Sequence, residues 1–347
     1  MKPEQKSLRI GAAVILLAVL LRLVGGGIWN DLTNLLLKPK VSSFLLYAGT
    51  GRIFYIPGET KPGTPTQPVE DTAPAETEPA ETEVTEPVET EPTQPVRAVF
   101  SAQDGALVTL TNHPGYKLDM EALITAPLDW NLTGEAPKVL IIHSHASESY
   151  ENTENYAGWW NYRTTDNRYN MVSVGNYLAQ CLQEQGISVI HDTTVYDYPS
   201  YDNAYVLSRQ AVENYLEQYP SIQVVLDIHR DAYEDKYGNQ VRNTVNIGGV
   251  TSSKLMLLVG SNASGQGHTQ WQENLSMAVK LQTVLERMYP GLCRPLALRS
   301  TAFNQDVSPG ALLVEVGTAG DTRQDALHAV KFLAEGIAAL AYGSSAV

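Results

Sequence analysis

The chain has 347 residues, of which 43% are hydrophobic, and a formal net charge of −14. That is enough apolar material for one sizeable core with extensions, and the acidic balance argues against nucleic acid as a partner, because phosphate contacts need clustered Lys and Arg. Two cysteines, Cys181 and Cys293, supply neither a disulfide framework nor a cysteine-type zinc site and are read as free thiols.

Lys2, Lys6 and Arg9 precede an apolar run over 10–21, which Arg22 interrupts and Leu23 and Val24 extend. The run is short for a span, since ~20 apolar residues cross ~30 Å of hydrocarbon. It also fits the apolar region of a cleaved signal peptide. However, Arg22 near one end can snorkel, Gly25, Gly27 and Ile28 lengthen the stretch, and no small-x-small cleavage site follows clearly. Residues 1–28 are therefore read as a cytoplasmic N-terminus and an uncleaved, single-pass signal-anchor in the cell membrane, with everything downstream extracytoplasmic. Residues 29–56 form an interrupted apolar-amphipathic juxtamembrane segment. Residues 57–98 are rich in Pro, Thr and Glu and carry nine Glu and one Asp against Lys61 and Arg97. Such a composition cannot bury enough apolar surface to fold and predicts a disordered linker. It would span roughly 35 Å as a coil and up to about 130 Å as polyproline II.

From residue 99 to 347 the composition is globular and the pattern alternates strand and helix. A short strand falls in 106–110 and a helix near 117–124. A strand over 138–143 leads to a helix over 171–185 ending at Gly186, a strand over 187–191, a helix over 203–219 and a strand over 222–229. Strands follow near 244–249 and 254–260. A capping box at 269–272 opens a helix over 270–289, and after a strand over 311–316 a second box at 321–324 opens a helix over 322–341. This order predicts one α/β domain with a mostly parallel central sheet flanked by helices.

The chemistry-bearing residues gather at strand ends. KVLIIHSHASESY (138–150) carries His143, His145 and Glu148 after an apolar run, IQVVLDIHRDA (222–232) ends in a histidine, and ALLVEVG (311–317) holds Glu315. Continuous apolar runs suit strands buried on both faces, and ligands of open α/β sheets sit at the carboxyl ends of their strands. Catalytic zinc takes three nitrogen or oxygen ligands and leaves a position open, and a separate carboxylate then handles the proton. Glu315, inside an apolar strand, suits that second role, because its burial costs free energy unless the site uses it. His143 and His145, two apart, would share a strand face. Asp227 alternates with His229 and is read as an orienting group or a buried hydrogen bonder. Arg230 either pairs with Asp231 or holds a substrate carboxylate. His113, His191, His268 and His328 are read as structural or surface. Tyr150, Tyr156, Trp159, Trp160 and Tyr162 either stack on glycan or pack a long loop. Ser147 or Ser149 with His229 would make a serine hydrolase, but no G-x-S-x-G elbow accompanies them.

Four blocks, HSHASESY (143–150), RYNMVSVGNYL (168–178), LDIHRDA (226–232) and FNQDVSPGALLVEVG (303–317), resemble the stage II sporulation protein P family over most of 135–341. That family is similar to the zinc N-acetylmuramoyl-L-alanine amidases. The resemblance implies an amidase-like fold, zinc, and cleavage of the muramoyl–alanine amide of peptidoglycan, with endopeptidase activity on stem peptides as a second expectation. It also implies partnership with a lytic transglycosylase, stage II sporulation protein D, and a membrane protein during engulfment of the forespore. By the same resemblance His145 and His229 are zinc ligands and Glu315 is the catalytic glutamate. Glu148 is the third ligand by proximity, ahead of Glu151 and Glu154, with His143 as the substitute. The alternative is a catalytically degenerate scaffold that binds wall or activates another hydrolase.

Overall fold

The structure, a computed structural model, describes residues 99–342 apart from 129, 152, 157, 159 and 160. The signal-anchor, juxtamembrane and linker assignments lie outside the described residues. All described residues fall within one compact unit, Glu89–Val347, and among them no helix is long and apolar enough to cross a membrane.

In chain order the strands are β1 (Leu110–Asn112), β2 (Val139–Ile142), β3 (Val189–His191), β4 (Val224–Asp231), β5 (Thr244–Ile247), β6 (Val250–Ser253), β7 (Leu255–Val259), β8 (Leu296–Leu298) and β9 (Ala311–Thr318). The helices are α1 (Met120–Thr125), α2 (Met171–Glu184), α3 (Ala204–Gln218), α4 (Trp271–Met288) and α5 (Arg323–Tyr342). Seven strands form one sheet in the order β1-β8-β7-β9-β4-β2-β3, while β5 and β6 make a separate hairpin. Every pair in the large sheet is parallel except β7 with β9. The fold is thus mixed α/β with a mostly parallel sheet between helices.

Alternation of side chains divides the two faces. On one, Ile141, Leu226, Ile228, Leu312, Val314 and Val316 pack in a core shared with α2, α4 and α5. On the other, Leu140, Ile142, Val225 and Ala311 pack against Val212 of α3. Farther along that second face Met256, Leu258, Ala297 and Leu313 form a small cluster closed by Phe303. Asp227, His229 and Glu315 share the parity of Val225 and Leu313, so they project on the second face, at the carboxyl ends of β4 and β9.

Local chemistry explains the element ends. Asn170 caps α2 by accepting from Val172 N at 3.0 Å. Gly186, at φ 79°, stops the helix; Ile187 N reaches Leu182 O at 3.0 Å and Gly186 N reaches Gln183 O at 2.9 Å, the paired bonds of a Schellman ending. Where the boxes fall differs from expectation. Gln270, not Thr269, stands at the N-cap of α4 and makes no side-chain capping bond. Before α5 the reciprocal bonds join Thr322 and Asp325, at 2.7–3.1 Å. Asp321 is instead a buried brace, accepting from Asn243 N, Ser253 Oγ and Thr318 N. The first strand begins at Leu110 because Ala102–Leu107 is a 3-10 turn capped by Ser101 and Asp104. β8, three residues long and directly following Pro295, is too short to show as a run.

Candidate metal centre

β2 ends at Ile142 and the chain turns through residues 144–147. Buried side chains fasten that turn. Ser144 donates from its backbone N and Oγ to Asp227, at 2.8 and 2.6 Å. Ser147 does the same to Asp197, at 3.0 and 2.5 Å. The turn carries His145 and Glu148 onto the sheet face that already holds His229 and Glu315. His145 Nδ1 lies 3.5 Å from Glu148 Oε1, and His229 Nδ1 lies 3.4 Å from Glu148 Oε2. One donor atom from each of His145, Glu148 and His229 falls within 4.8 Å of the other two.

Electrostatics sort the carboxylates. Burial alone would raise the Glu148 carboxyl, but Arg230 and the two imidazoles outweigh it and hold Glu148 well below the usual range. Burial likewise opposes ionisation of Asp227, yet His229 and Ser144 keep its pKa low. His229 Nε2 stands 2.9 Å from Asp227 Oδ1, an ion-pair contact without hydrogen-bond alignment. Against burial, Asp227 and Glu148 raise the His229 pKa well above the ordinary imidazole value. Glu315 goes the other way: burial first, then Glu148 and Asp231, push it up to about 8. Its Oε2 is buried with no hydrogen-bond partner, and Met256 is its register neighbour on β7. The four residues open onto a cavity of about 260 Å³ that also meets Tyr205 and Phe303. A larger hollow of about 860 Å³ lies by Trp130, Ile222, Trp271 and Gly310. It sits at the amino ends of β4 and β9, away from the imidazoles.

The donor set fits a zinc ion. Two imidazoles and an ionised carboxylate are the ligand types of catalytic zinc, and a tetrahedral ion with bonds of ~2.0–2.2 Å needs neighbouring donors roughly 3.4 Å apart; each imidazole stands 3.4–3.5 Å from one oxygen of Glu148. His145 Nε2, buried and without a partner, leaves that imidazole free of competing bonds.

Residues 47–338 match the family model described as stage II sporulation protein P. The chain belongs to this family. The stage II sporulation protein P of Bacillus subtilis (strain 168) is 26% identical over 220 residues, covering 58% of this chain and 51% of that protein. The chain thus aligns with about half the length of that curated relative. Among solved structures, an N-acetylmuramoyl-L-alanine amidase from Clostridium difficile 630 is similar at 17% identity and a TM-score of 0.32, over 59% of this chain and 94% of that one. The N-acetylmuramyl-L-alanine amidase Ami1 from Mycobacterium smegmatis is similar at 11% identity and a TM-score of 0.33, over 61% and 100%. Likeness at that level leaves the chemistry to be argued from the residues.

In this stage II sporulation protein P family member the structure brings His145, Glu148, His229 and Glu315 together and sets Asp227 against His229. It does not bring His143 there. Because β2 stops at Ile142, His143 keeps the parity of Ile141 and lies on the helix side, while the turn carries His145 to the other. The His143 Nδ1 bonds Ile228 O at 2.8 Å and its Nε2 meets His191 Nε2 at 2.8 Å. A Cβ on Gly175 of α2 would lie 2.4 and 2.5 Å from those two Nε2 atoms, so only glycine lets the pair pack against the helix. Glu154 pairs with Arg323 at 2.6 Å, and neither it nor Glu151 belongs to the cluster. Of the two roles read for Arg230, the pair with Asp231 does not form: Asp231 pairs with Arg294 at 2.8 Å, while Arg230 donates to the carbonyls of Ser149 and Tyr162 at 3.0 and 2.8 Å. The serine-hydrolase reading fails on geometry, since Ser147 Oγ serves Asp197 and Ser149 Oγ makes no hydrogen bond to a histidine. Of the aromatic stretch, Tyr150 is buried and donates to Val316 O at 2.7 Å, and Tyr156 stacks on Tyr169 at 4.6 Å; both are packing.

Sequence reasoning missed Arg163, Asp197, Tyr201 and Tyr205. Arg163 spans Asp197 at 2.6 Å and Glu148 at 3.1 Å and lies 4.8 Å over the Tyr201 ring, which in turn stacks on His145 at 4.4 Å. Nothing in the local sequence marks Arg163; only the closed turn brings it to Glu148.

Proposed function

We propose that this protein is a zinc-dependent peptidoglycan hydrolase that cleaves the amide between N-acetylmuramic acid and L-alanine during sporulation, with stem-peptide cross-links as a second class of bond. The observation that carries the reading is the convergence of His145, Glu148 and His229 beside Glu315, whose Oε2 is buried and unpartnered. Zinc held by those three residues supplies a Lewis acid for the amide carbonyl and a nucleophile at neutral pH.

The chain's own residues do the rest. Glu148, kept ionised by Arg230 and the neighbouring imidazoles and paired with Arg163, serves as a charged ligand. Asp227 fixes the ring of His229, as outer partners of metal-bound imidazoles do. Glu315, raised by its apolar surroundings, takes the proton from the attacking water at Oε2 and returns it to the leaving amine. Arg230 Nη1, the guanidinium nitrogen not bonded to a backbone carbonyl, is the group assigned to a stem-peptide carboxylate.

The proposal includes a single-pass location in the cell membrane, with the hydrolase domain extracytoplasmic; protease shaving of intact cells tests it. The transglycosylase and membrane partner implied by the resemblance are tested by co-purification. For the chemistry, full-length protein is incubated with purified sacculi and the soluble muropeptides are read by mass spectrometry. Free L-alanine amino termini released with zinc and suppressed by chelator are expected. Release of cross-link products alone moves the reading to an endopeptidase, and no release from zinc-loaded protein overturns it.

A further inference from the structure

Hydrolysis of an amide by water builds negative charge on the carbonyl oxygen, and donors aimed at that oxygen are worth about 10²–10³ in rate. Most donors lining the cavity are already committed. Arg163 serves Asp197, Glu148 and Ser147. Arg230 holds two backbone carbonyls, its Nη1, 3.9 Å from Glu148 Oε1, is assigned above to a substrate carboxylate, and the imidazoles of His145 and His229 belong to the cluster.

Tyr205 is different. It stands in the first turn of α3 and lines the cavity with Glu315. Its ring lies edge-on to His145 at 5.2 Å and parallel to His229 at 6.4 Å, with Phe303 at 6.1 Å. Its backbone carbonyl accepts from Asn304 Nδ2 at 2.7 Å and Ser208 Oγ at 3.3 Å, which anchors the backbone from which the ring projects. Among the described residues no group hydrogen-bonds its hydroxyl.

We propose that Tyr205 is a catalytic residue whose phenol donates a hydrogen bond to the scissile carbonyl oxygen as that oxygen gains charge. The assignment rests on the hydrolase reading above. Tyr201, the other phenol of the cavity, is half exposed with its ring already stacked on His145, and it is the control.

The test compares full-length wild type, Tyr205→Phe and Tyr201→Phe, each loaded with zinc, on a soluble muramoyl peptide. For Tyr205→Phe, kcat is expected to fall about 10²-fold with KM within about threefold, and with zinc content and thermal midpoint unchanged. A phosphinate analogue of the muramoyl–alanine bond should lose about the same factor in affinity, while the product peptide binds as before. Activity and analogue affinity within about threefold of wild type overturn the assignment, as does an equal or larger loss in Tyr201→Phe. Loss of zinc or a lowered midpoint in Tyr205→Phe also overturns it, because the hydroxyl would then serve the fold or the cluster rather than the carbonyl oxygen. If the wild type cleaves nothing, the hydrolase reading falls and takes this assignment with it; an active wild type with an active Phe variant sinks the assignment alone.

Discussion

His229 on β4 and Glu315 on β9 are register partners across two parallel strands. Adjacent strands lie about 4.8 Å apart, so an imidazole of the cluster and the Glu315 carboxyl leave the same sheet face side by side. Neither position depends on a loop. Glu315→Gln should therefore retain zinc and fold yet lose wall hydrolysis by about 10²–10⁴-fold, measured as muropeptide release alongside metal analysis. Full activity in the variant would remove Glu315 from the chemistry.

The same carboxyl gives metal-free protein a pH signature. Its folded pKa of about 8 lies above the ordinary glutamate value of 4.5, so between those limits the folded state binds more protons than the unfolded state. Stability should then fall as pH rises from 4.5 to 8, by a few kcal/mol. Denaturant titrations of metal-free wild type and Glu315→Gln test it, and the variant should lack the slope.

Arg163 touches Glu148 rather than any metal, and Tyr201 lies between it and His145. Arg163→Ala should weaken zinc binding about 10–100-fold, read by competition with a chromogenic chelator. Unchanged affinity would show that Arg230 alone keeps Glu148 in place.

The pair under α2 predicts acid lability. Burial, the leading cause for both, lowers His143 to about 4 and His191 to about 3, from 6.5. As pH falls below 6.5 the unfolded chain takes up protons that the folded pair refuses. The contribution is complete above 6.5 and is lost progressively toward pH 4, on the order of 3 kcal/mol for His143. His143→Gln should flatten the acid limb of an unfolding titration.

Gly175→Ala is the steric counterpart. The added methyl would enter the space of both imidazoles, and overpacking of a well-filled core costs about 1–3 kcal/mol or more. A chemical-denaturation midpoint at the wild-type value would show that the histidines can move aside.

Much of this arrangement is legible in the sequence because the apolar runs at 138–143, 222–229 and 311–316 place chemistry-bearing residues at the ends of buried strands. His143, His145, His229 and Glu315 follow from that logic as candidates, the preference for His145 over His143 comes from the family resemblance, and Glu148 follows from its nearness to His145. The logic breaks where a strand ends one residue early. Extending β2 through His145 puts both histidines on one face, whereas its end at Ile142 sends them to opposite sides. Arg163 and Tyr205 were beyond reach for another reason. One follows a long loop and the other starts a helix, and their approach to the site depends on how those segments fold back. The antiparallel β7–β9 pairing and three-residue β8 likewise leave no periodic mark.

That early end of β2 also couples the two halves of the molecule. His143, seated among the helices, holds the carbonyl of Ile228, and the next residue is His229. One peptide unit is all that separates the helical layer from the cluster. Mutations far from the cavity, in the face of α2 around Gly175, can therefore misaim an imidazole without touching it. Conditional loss-of-function alleles should concentrate beneath that helix as well as at the mouth of the site.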